Sequence, residues 1–266
     1  MTATNSLIIF ALMLALSACS TQAKNDTITP DQAMLWTSHS AEYQAASLQV
    51  YAQATRDLPR LLADKSWSAI PGYEGNSELP AGIILDVDQT VLNGVDMGLT
   101  MIPFSTQRQY EWGLTHPAIP VRGGAEFIAV AKSMGIEVFF VTNRPCMKYE
   151  GAEGDCPIEQ GTIDDLREVG IETDADHLFF ANEQPGWDRE KVVRREYLAK
   201  THRILMLLGD DYADFVACAR GTPKLPCTTP ATRASRAEAL ATYDHYWGNG
   251  WYILPNPMYG SWTSVE

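Results

Sequence analysis

An alternation of short apolar runs with helical segments between residues 82 and 208 limits the possible folds of this chain more than any other feature. The apolar runs cover residues 82–85, 138–141, 178–181 and 204–208, and apolar residues with helical spacing occupy 121–134, 162–169 and 188–200. This pattern is typical of short buried strands joined by helices. Because such strands form a parallel sheet with helices on both faces, the sequence predicts an α/β fold.

The segments on either side of this region predict further helices. Between residues 31 and 62, apolar side chains recur at helical spacings and predict one or two amphipathic helices. The positions are Met34, Ala41, Ala45, Leu48, Tyr51, Leu58 and Leu61. Residues 231–246 predict another helix, followed by an aromatic-rich tail over 247–262. We therefore expect a core unit over 78–225 and a small helical subdomain formed by 31–77 together with 226–266.

The first residues resemble the signal peptide of a bacterial lipoprotein. Residues 7–16 are apolar, and Leu16-Ser17-Ala18-Cys19 is similar to a lipobox. The resemblance implies a signal peptide over residues 1–18, a lipid on Cys19 and a tether over residues 19–30. Because Ser20 is not Asp, it also implies a lipoprotein of the outer membrane, on its periplasmic or cell-surface side. The alternative is simple cleavage after Ala18. Residues 1–6 depart from the usual pattern because they contain no Lys or Arg.

The charge balance argues against a nucleic-acid partner. The 266 residues include 33 Asp and Glu against 20 Lys and Arg, which gives a formal net charge of −13. No run of basic residues interrupts this acidity, and binding to a phosphate backbone needs clustered positive charge. We therefore expect small-molecule rather than nucleic-acid substrates.

Four cysteines besides Cys19 allow three pairings. We expect disulfides Cys146–Cys156 and Cys218–Cys227, because each would close a short loop rich in Gly, Pro and charge and because export to an oxidising compartment permits them. Four free thiols are the alternative.

Polar side chains follow the predicted strands. The first strand is followed by Asp86-Val87-Asp88-Gln89-Thr90, and the second by Thr142-Asn143-Arg144. The helix after the third strand begins with Lys191. The fourth strand is followed by Gly209-Asp210-Asp211-Tyr212-Ala213-Asp214. Ligands of open α/β sheets bind beyond the carboxyl ends of the strands. We therefore expect these groups to converge on one edge of the sheet.

This combination favours phosphoryl transfer. Several carboxylates at one edge repel one another unless a cation lies among them, and oxygen ligands without a His or Cys cluster favour Mg²⁺. Lys191 opposes the dipole of the helix that it begins, so its position needs another reason. A carboxylate nucleophile, a metal, a lysine and a second carboxylate are together the parts needed for transfer through an aspartyl-phosphate.

These segments resemble the four motifs of the haloacid dehalogenase (HAD) superfamily, whose fold is a Rossmann-like parallel sheet. More narrowly, the chain is similar to the class C acid phosphatases of HAD subfamily IIIB, including outer-membrane lipoprotein 5′-nucleotidases, over residues 36–262. Further matching segments are Ser40-Ala41-Glu42-Tyr43, Gly123-Gly124-Ala125-Glu126-Phe127, Val141-Thr142-Asn143-Arg144, Gly161-Thr162-Ile163-Asp164-Asp165-Leu166 and Ile253-Leu254-Pro255-Asn256-Pro257-Met258-Tyr259-Gly260.

The resemblance implies a role for each matching residue. Asp86 is the expected nucleophile and a metal ligand. Asp88 is the expected general acid/base and also a metal ligand, through its backbone carbonyl. Thr142 and Lys191 are expected to hold the phosphoryl oxygens.

The last motif implies the rest of the Mg²⁺ site. Asp210 is expected to bind the metal and Asp214 to support it through water, whereas Asp211 has no assigned role. Gln89 and Asn93 depart from the family, which commonly has Glu and Asp there. We expect the loss of these two charges to weaken metal binding or to alter substrate preference.

The resemblance also implies a substrate class. We expect a Mg²⁺-dependent acid phosphatase that hydrolyses small phosphomonoesters, nucleoside 5′-monophosphates first, at mildly acidic pH. Tyr110, Trp112 and Tyr259 are candidates for an aromatic clamp on the base. Asn143 is a candidate substrate contact, and Arg144 is either a further contact or a surface residue. The sequence leaves open whether the protein forms a homodimer.

Other interpretations of the function account for fewer of these motif residues. The Cys227…Arg233 spacing of a cysteine phosphatase lacks a preceding strand and a glycine-containing phosphate loop. A glycosyltransferase leaves Lys191 and Asp214 unexplained. In a phospho-receiver domain the phosphorylated Asp follows a later strand than the acidic pair, whereas here the Asp-x-Asp pair comes first. Two alternatives remain, a broad-specificity phosphomonoesterase and a non-catalytic surface or storage protein on the same fold.

Overall fold

The computed structural model describes residues 32–73, 78–100 and 105–266. Its strands are β1 (Ala81–Leu85), β2 (Glu137–Pro145), β3 (Leu178–Ala181), β4 (Arg203–Gly209) and β5 (Trp251–Ile253). Its α-helices are α1 (Gln32–His39), α2 (Ala41–Ala63), α3 (Val95–Thr100), α4 (Thr106–Gly113), α5 (Gly124–Ser133), α6 (Pro157–Glu168), α7 (Val192–Ala199) and α8 (Arg233–Thr242). The expected signal peptide, Cys19 and the tether lie outside the described residues.

The five strands form one parallel sheet in the order β3-β2-β1-β4-β5. Strand β1 lies at its centre, where Leu85 aligns with Phe140 of β2 and with Leu208 of β4. The residues that follow these strands therefore leave the sheet at nearly the same level. The predicted α/β fold is confirmed.

Side chains of the strands alternate between two buried clusters. On one face, Leu85 of β1 packs with Leu58 of α2 and Phe127 of α5. On the other face, Ile84 belongs to a cluster with Leu198 of α7. Because each face buries its own apolar cluster, the sheet is covered on both sides, as its nearly unbroken apolar strands predict.

Helix α2 presents a different face to the core from the one predicted at its start. Ser40 caps the helix by accepting a hydrogen bond from the backbone N–H of Tyr43. The buried residues are then Tyr43, Ser47, Tyr51, Ala54, Leu58 and Leu61. Ala41, Ala45 and Leu48, predicted to face the core, are exposed instead. Tyr43 and Ser47 lie on the inner face instead, where the Ser47 hydroxyl donates to Tyr43 O at 2.9 Å.

The C-terminal region differs most from the prediction. The predicted helix over 231–246 is shorter, since α8 ends at Thr242 and a 3₁₀ turn follows over Asp244–Tyr246. Residues 251–253 of the predicted tail form β5, which pairs with β4 and buries Trp251 completely. Helices α3 and α4 were not predicted. The expected boundaries near residues 78 and 225 stay predictions.

Both expected disulfides are present. Cys146 pairs with Cys156 across a Cα–Cα distance of 4.7 Å, and Cys218 pairs with Cys227 across 5.4 Å. Each closes a loop next to the carboxyl edge of the sheet. Within the described residues, no helix is both long and apolar enough to cross a membrane.

The packing of α2 against the sheet predicts the effect of one truncation. Leu58 has no exposed surface, so Leu58→Ala leaves a cavity and should lower the free energy of unfolding by about 2–5 kcal/mol. Leu48 on the same helix is 40% exposed, and Leu48→Ala should change it by only about 0.5 kcal/mol. Urea titrations of the oxidised protein measure both values, and equal losses would contradict the burial of the Leu58 face of α2 against the sheet.

Candidate active site

The carboxyl ends of β1, β2 and β4 open into a cavity of about 480 Å³. Asp86 and Asp88, which follow β1, line it together with Lys191, Asp210 and Asp214. Most of the charged groups expected at one edge of the sheet therefore line this cavity, whereas Thr142 is completely buried and is not among its lining residues.

Three carboxylates form the centre of this cavity. One oxygen each of Asp86, Asp210 and Asp214 lies within 4.8 Å of the other two. Gly209, at the end of β4, is required for this approach because a Cβ at that position would collide with the carboxylate of Asp214. The chain therefore brings together acidic groups that are separated by more than a hundred residues.

Lys191 neutralises part of this charge. It immediately precedes α7, and its side chain is only 4% exposed. Its Nζ donates a short hydrogen bond to Asp86 Oδ1 and lies 2.7 Å from Asp214 Oδ1. Burial disfavours the ammonium, but the charges of Asp214 and Asp86 outweigh this effect and raise the pKa of Lys191. The lysine therefore stays charged between two of the three carboxylates.

One ammonium group does not balance three carboxylates, of which Asp86 and Asp214 are buried. Burial raises the pKa of Asp86 to about 6, although Lys191 opposes the shift. Burial, together with the charges of Asp214 and Asp86, raises the pKa of Asp210 well above its ordinary value. Both shifts indicate that the cluster lacks positive charge. An all-oxygen set of this kind fits a hard divalent cation such as Mg²⁺.

Asp210 is held from two sides. The side-chain amide of Asn256, which follows β5, donates to Asp210 Oδ2 at 2.7 Å. The hydroxyl of Thr90 lies 3.5 Å from Asp210 Oδ1. The C-terminal tail therefore reaches back to orient a carboxylate of the central cluster.

Asp211, unlike the adjacent Asp210, forms structural hydrogen bonds. Its Oδ1 accepts the backbone N–H of Ala213 at 2.8 Å and a short hydrogen bond from the hydroxyl of Ser261, while Oδ2 accepts the backbone N–H of Ser261. These bonds tie the 3₁₀ turn over Tyr212–Asp214 to the tail. The carboxylate is thus used structurally and lies outside the three-carboxylate cluster.

Asp88 pairs with Arg144 rather than with the cluster. Arg144 Nε donates to both oxygens of Asp88 at 3.1 and 3.3 Å, and Nη2 lies 2.9 Å from Oδ1. Nη1 binds Asp165 at 2.9 Å and Thr162 at 3.0 Å. Burial opposes the guanidinium charge, but Asp88 and Asp165 raise the pKa of Arg144. The fork fixes the plane of the Asp88 carboxylate at the cavity wall.

The carboxyl-terminal end of β2 is held by hydrogen bonds to Thr142 and Asn143. Thr142 is fully buried, and its hydroxyl accepts the backbone N–H of Arg144 at 3.1 Å. The buried guanidinium of Arg194 donates to Thr142 O and, at 2.9 Å, to Asn143 Oδ1. Asn143 lines the cavity. Strand β2 continues to Pro145, so these residues belong to the strand rather than to a loop after it.

Gln89 and Asn93 stabilise the turn after β1. Gln89 has a positive φ of 58°, and its Oε1 accepts the backbone N–H of Gly94 at 2.6 Å. Asn93 Oδ1 accepts the backbone N–H of Val95, the first residue of α3, at 2.9 Å. Both amide oxygens thus bind backbone amides of their own turn.

Comparisons with known proteins agree with this geometry. A family model described as HAD superfamily, subfamily IIIB (Acid phosphatase), matches residues 6–262. The chain belongs to this family. The class C acid phosphatase from Bacillus anthracis is similar in structure, with a TM-score of 0.66, 25% identity and coverage of 87% of this chain and 85% of that chain. The same enzyme with tungstate bound gives a TM-score of 0.67 at the same identity and coverage. The protein is thus a phosphomonoester hydrolase.

The aromatic candidates of this acid phosphatase divide between two cavities. Tyr259 lines the cavity with the carboxylates and is 43% exposed. Tyr110 and Trp112, both on α4, line a smaller adjoining apolar cavity of about 50 Å³ that shares Asp88 and Arg144 with the first. The two α4 rings therefore lie on the side of the site bounded by the Asp88–Arg144 pair.

Each α4 ring already stacks on a neighbour. The ring centroid of Tyr110 lies 4.5 Å from that of Tyr149, and the ring of Trp112 lies 4.4 Å from that of His116. One face of each ring is therefore occupied. The buried Nε1 of Trp112 has no hydrogen-bond acceptor among the described residues.

The roles of Asp165 and Asn256 were not predicted from the sequence, and that of Arg144 was left open between a substrate contact and a surface residue. All three lie in segments that matched the acid phosphatases, which was the available signal. Asp165 shares the Arg144 guanidinium with Asp88, and Asn256 binds Asp210. These are contacts between distant segments, so periodicity and spacing could not assign them.

The raised pKa of Asp86 predicts how stability depends on pH in the metal-free enzyme. Its folded pKa of about 6 exceeds an unfolded value of about 3.9, so the folded state holds this proton more tightly and the contribution of Asp86 to stability falls as pH rises between those values. Asp86→Asn should therefore gain stability relative to the wild type between about pH 4 and 6.5, by on the order of 1–3 kcal/mol. Urea titrations in chelator measure this difference, and parallel curves would contradict it.

Proposed function

We propose that this acid phosphatase cleaves small phosphomonoesters through a phosphoryl group transferred to Asp86, with Mg²⁺ held by Asp86, Asp210 and Asp214 and by the backbone carbonyl of Asp88. The observation that carries the proposal is the cluster of three carboxylates within 4.8 Å with Lys191 bonded to two of them. A bound Mg²⁺ would supply positive charge to the phosphoryl oxygens and to the attacking carboxylate.

The residues of the chain divide the reaction between them. Asp86 attacks phosphorus, and the ester P–O bond breaks as Asp88 gives its proton to the leaving oxygen. Lys191 and Thr142 hold the phosphoryl oxygens. In the second half of the reaction, a water molecule attacks phosphorus while Asp88 accepts a proton from that water. The bond between Asp86 and phosphorus breaks, inorganic phosphate leaves, and the Asp86 carboxylate is regenerated. Tungstate bound to the Bacillus anthracis relative is a tetrahedral oxyanion like phosphate, which supports this assignment.

We further propose nucleoside 5′-monophosphates as substrates. The apolar cavity with Tyr110 and Trp112 adjoins Asp88, the group proposed to protonate the leaving oxygen, and Tyr259 lines the carboxylate cavity. A base could stack on the remaining ring faces, which contributes on the order of 1–3 kcal/mol per base without demanding one base. A broad-specificity enzyme is the second candidate, because the occupied faces of Tyr110 and Trp112 limit such a clamp.

We propose that the enzyme acts outside the cytoplasm as a lipoprotein anchored through Cys19 to the outer membrane. The two disulfides support an oxidising compartment. The lipobox-like Leu16-Ser17-Ala18-Cys19 supports the anchor.

Phosphate release from a panel of nucleotides and sugar phosphates tests the reaction. Asp86→Asn should lower kcat by about a thousandfold or more because the nucleophile is lost. Chelator should abolish wild-type turnover and added Mg²⁺ should restore it, with the highest rate at mildly acidic pH. Equal rates for wild type and variant, full activity in chelator or a rate that rises steadily to pH 9 would contradict the proposal.

The Arg144 fork predicts a second kinetic effect. Arg144→Lys keeps the charge but loses the paired hydrogen bonds that orient Asp88, so kcat should fall about 10–100-fold with a smaller change in KM. Arg167→Lys is the matched control, because Arg167 also pairs with a carboxylate, Asp164, but is 50% exposed on α6. Steady-state rates on one monophosphate measure both. If the two variants behave alike, Arg144 does not position Asp88.

A further inference from the structure

The basic residues of the active-site cavity are of two kinds. Among the described residues, Arg144, Arg189, Lys191 and Arg220 line it. Lys191 pairs with Asp86 and Asp214, and Arg144 pairs with Asp88 and Asp165, so their charges are already balanced by carboxylates. Arg220 has a single, longer ion pair to the buried Glu190, and Arg189 has no ion pair among the described residues.

Arg220 has an unused donor. Its side chain is 17% exposed, and its Nε lies 3.7 Å from Glu190 Oε1, beyond hydrogen-bond distance. Neither of these two buried atoms has a hydrogen-bond partner among the described residues. The buried Nε faces Glu190, so Arg220 can contact an anion only through the part of its side chain that lines the cavity.

Arg220 is also held in place. It lies in the loop closed by Cys218–Cys227, and its carbonyl accepts the backbone N–H of Ala231 at 2.9 Å. Glu190, the neighbour of Lys191, accepts the backbone N–H of Cys218 at 3.2 Å. The loop is therefore fixed beside the segment that carries Lys191, which makes Arg220 a preorganised contact rather than a freely moving surface residue.

Arg189 lies two residues before Lys191 and is exposed at the cavity wall. Its backbone N–H binds Asp188 Oδ1 at 2.7 Å, while its guanidinium has no ion pair among the described residues. A chain with a net charge of −13 has many acidic groups that could pair with it. The cavity is therefore lined by one arginine without an ion pair and by a second whose only ion pair, to Glu190, is 3.7 Å long.

We propose that Arg189 and Arg220 form a second anion subsite that binds another phosphate group of the substrate. The inference rests on the proposed function, in which Lys191 and Thr142 hold the phosphoryl group that is transferred. A guanidinium group donates two parallel hydrogen bonds to two oxygens of one phosphate. Two arginines can therefore bind a phosphate group that stays on the substrate while the other is cleaved. The preferred substrates are then phosphomonoesters that carry a second phosphate.

Matched substrate pairs test the subsite. Adenosine 3′,5′-bisphosphate is compared with adenosine 5′-monophosphate, and glucose 1,6-bisphosphate with glucose 6-phosphate, by phosphate release. In the wild type, kcat/KM should be about tenfold or more higher for the bisphosphate of at least one pair, chiefly through KM. In Arg189→Met and Arg220→Met this ratio should fall towards one. Arg56→Met, on the exposed face of α2, is the control and should keep the wild-type ratio.

The outcomes separate the subsite from the reaction itself. A ratio near one in both wild-type pairs, or a preference that persists in both arginine variants, overturns the subsite while monophosphate hydrolysis stands. Monophosphate hydrolysis that survives Asp86→Asn overturns the proposed function instead. Arg189 is exposed, so Arg189→Met provides a folded test even where Arg220→Met, which leaves Glu190 without its nearest cation, does not fold.

Discussion

The repulsion among three closely spaced carboxylates, two of them buried, is the constraint on which the remaining structure depends. Asp86, Asp210 and Asp214 would separate if the chain allowed it, and they stay together because each is held by a different device. Asp86 follows a strand in the middle of the sheet, Asp214 is brought close by the missing side chain of Gly209, and Asp210 is bound by the distant tail. Lys191 offsets part of the charge. The positive charge that is still lacking is what a divalent cation would provide.

A parallel sheet suits this arrangement. Strands β1 and β4 are neighbours in register, so residues 86 and 210 emerge side by side although more than a hundred residues separate them. Strand β2 on the other side brings Asn143 and Arg144 to the same edge. The apolar interior below the edge holds the strands rigidly, while the polar groups above it are free to carry the chemistry.

The central part of the fold was predictable from the sequence because the strands of the sheet are buried on both faces. Each of these strands is therefore a nearly continuous run of apolar residues. The strand over Leu178–Ala181 agrees to the residue. Strand β5 could not be predicted, since three residues within an aromatic segment have no distinctive period and pair only because β4 has a free edge. The same holds for the first turns of α2, where the apolar residues Ala41, Ala45 and Leu48 face solvent and tertiary packing selects Tyr43 and Ser47.

The three-carboxylate cluster, Asp88 and Lys191 were predictable because the ends of parallel strands meet at one edge. Their partners were not. The pairing of Arg144 with Asp165 depends on how α6 lies over the sheet, and the bond from Asn256 to Asp210 depends on the path of the tail. Such contacts follow from the folded geometry rather than from any local pattern.

The tail has a consequence for when the enzyme becomes competent. Residues 251–261 supply the outermost strand, the amide on Asp210 and the hydroxyl on Asp211, and they leave the ribosome after every other part of the site. A nascent chain that already contains the nucleophile thus still lacks the groups that orient its acidic neighbours.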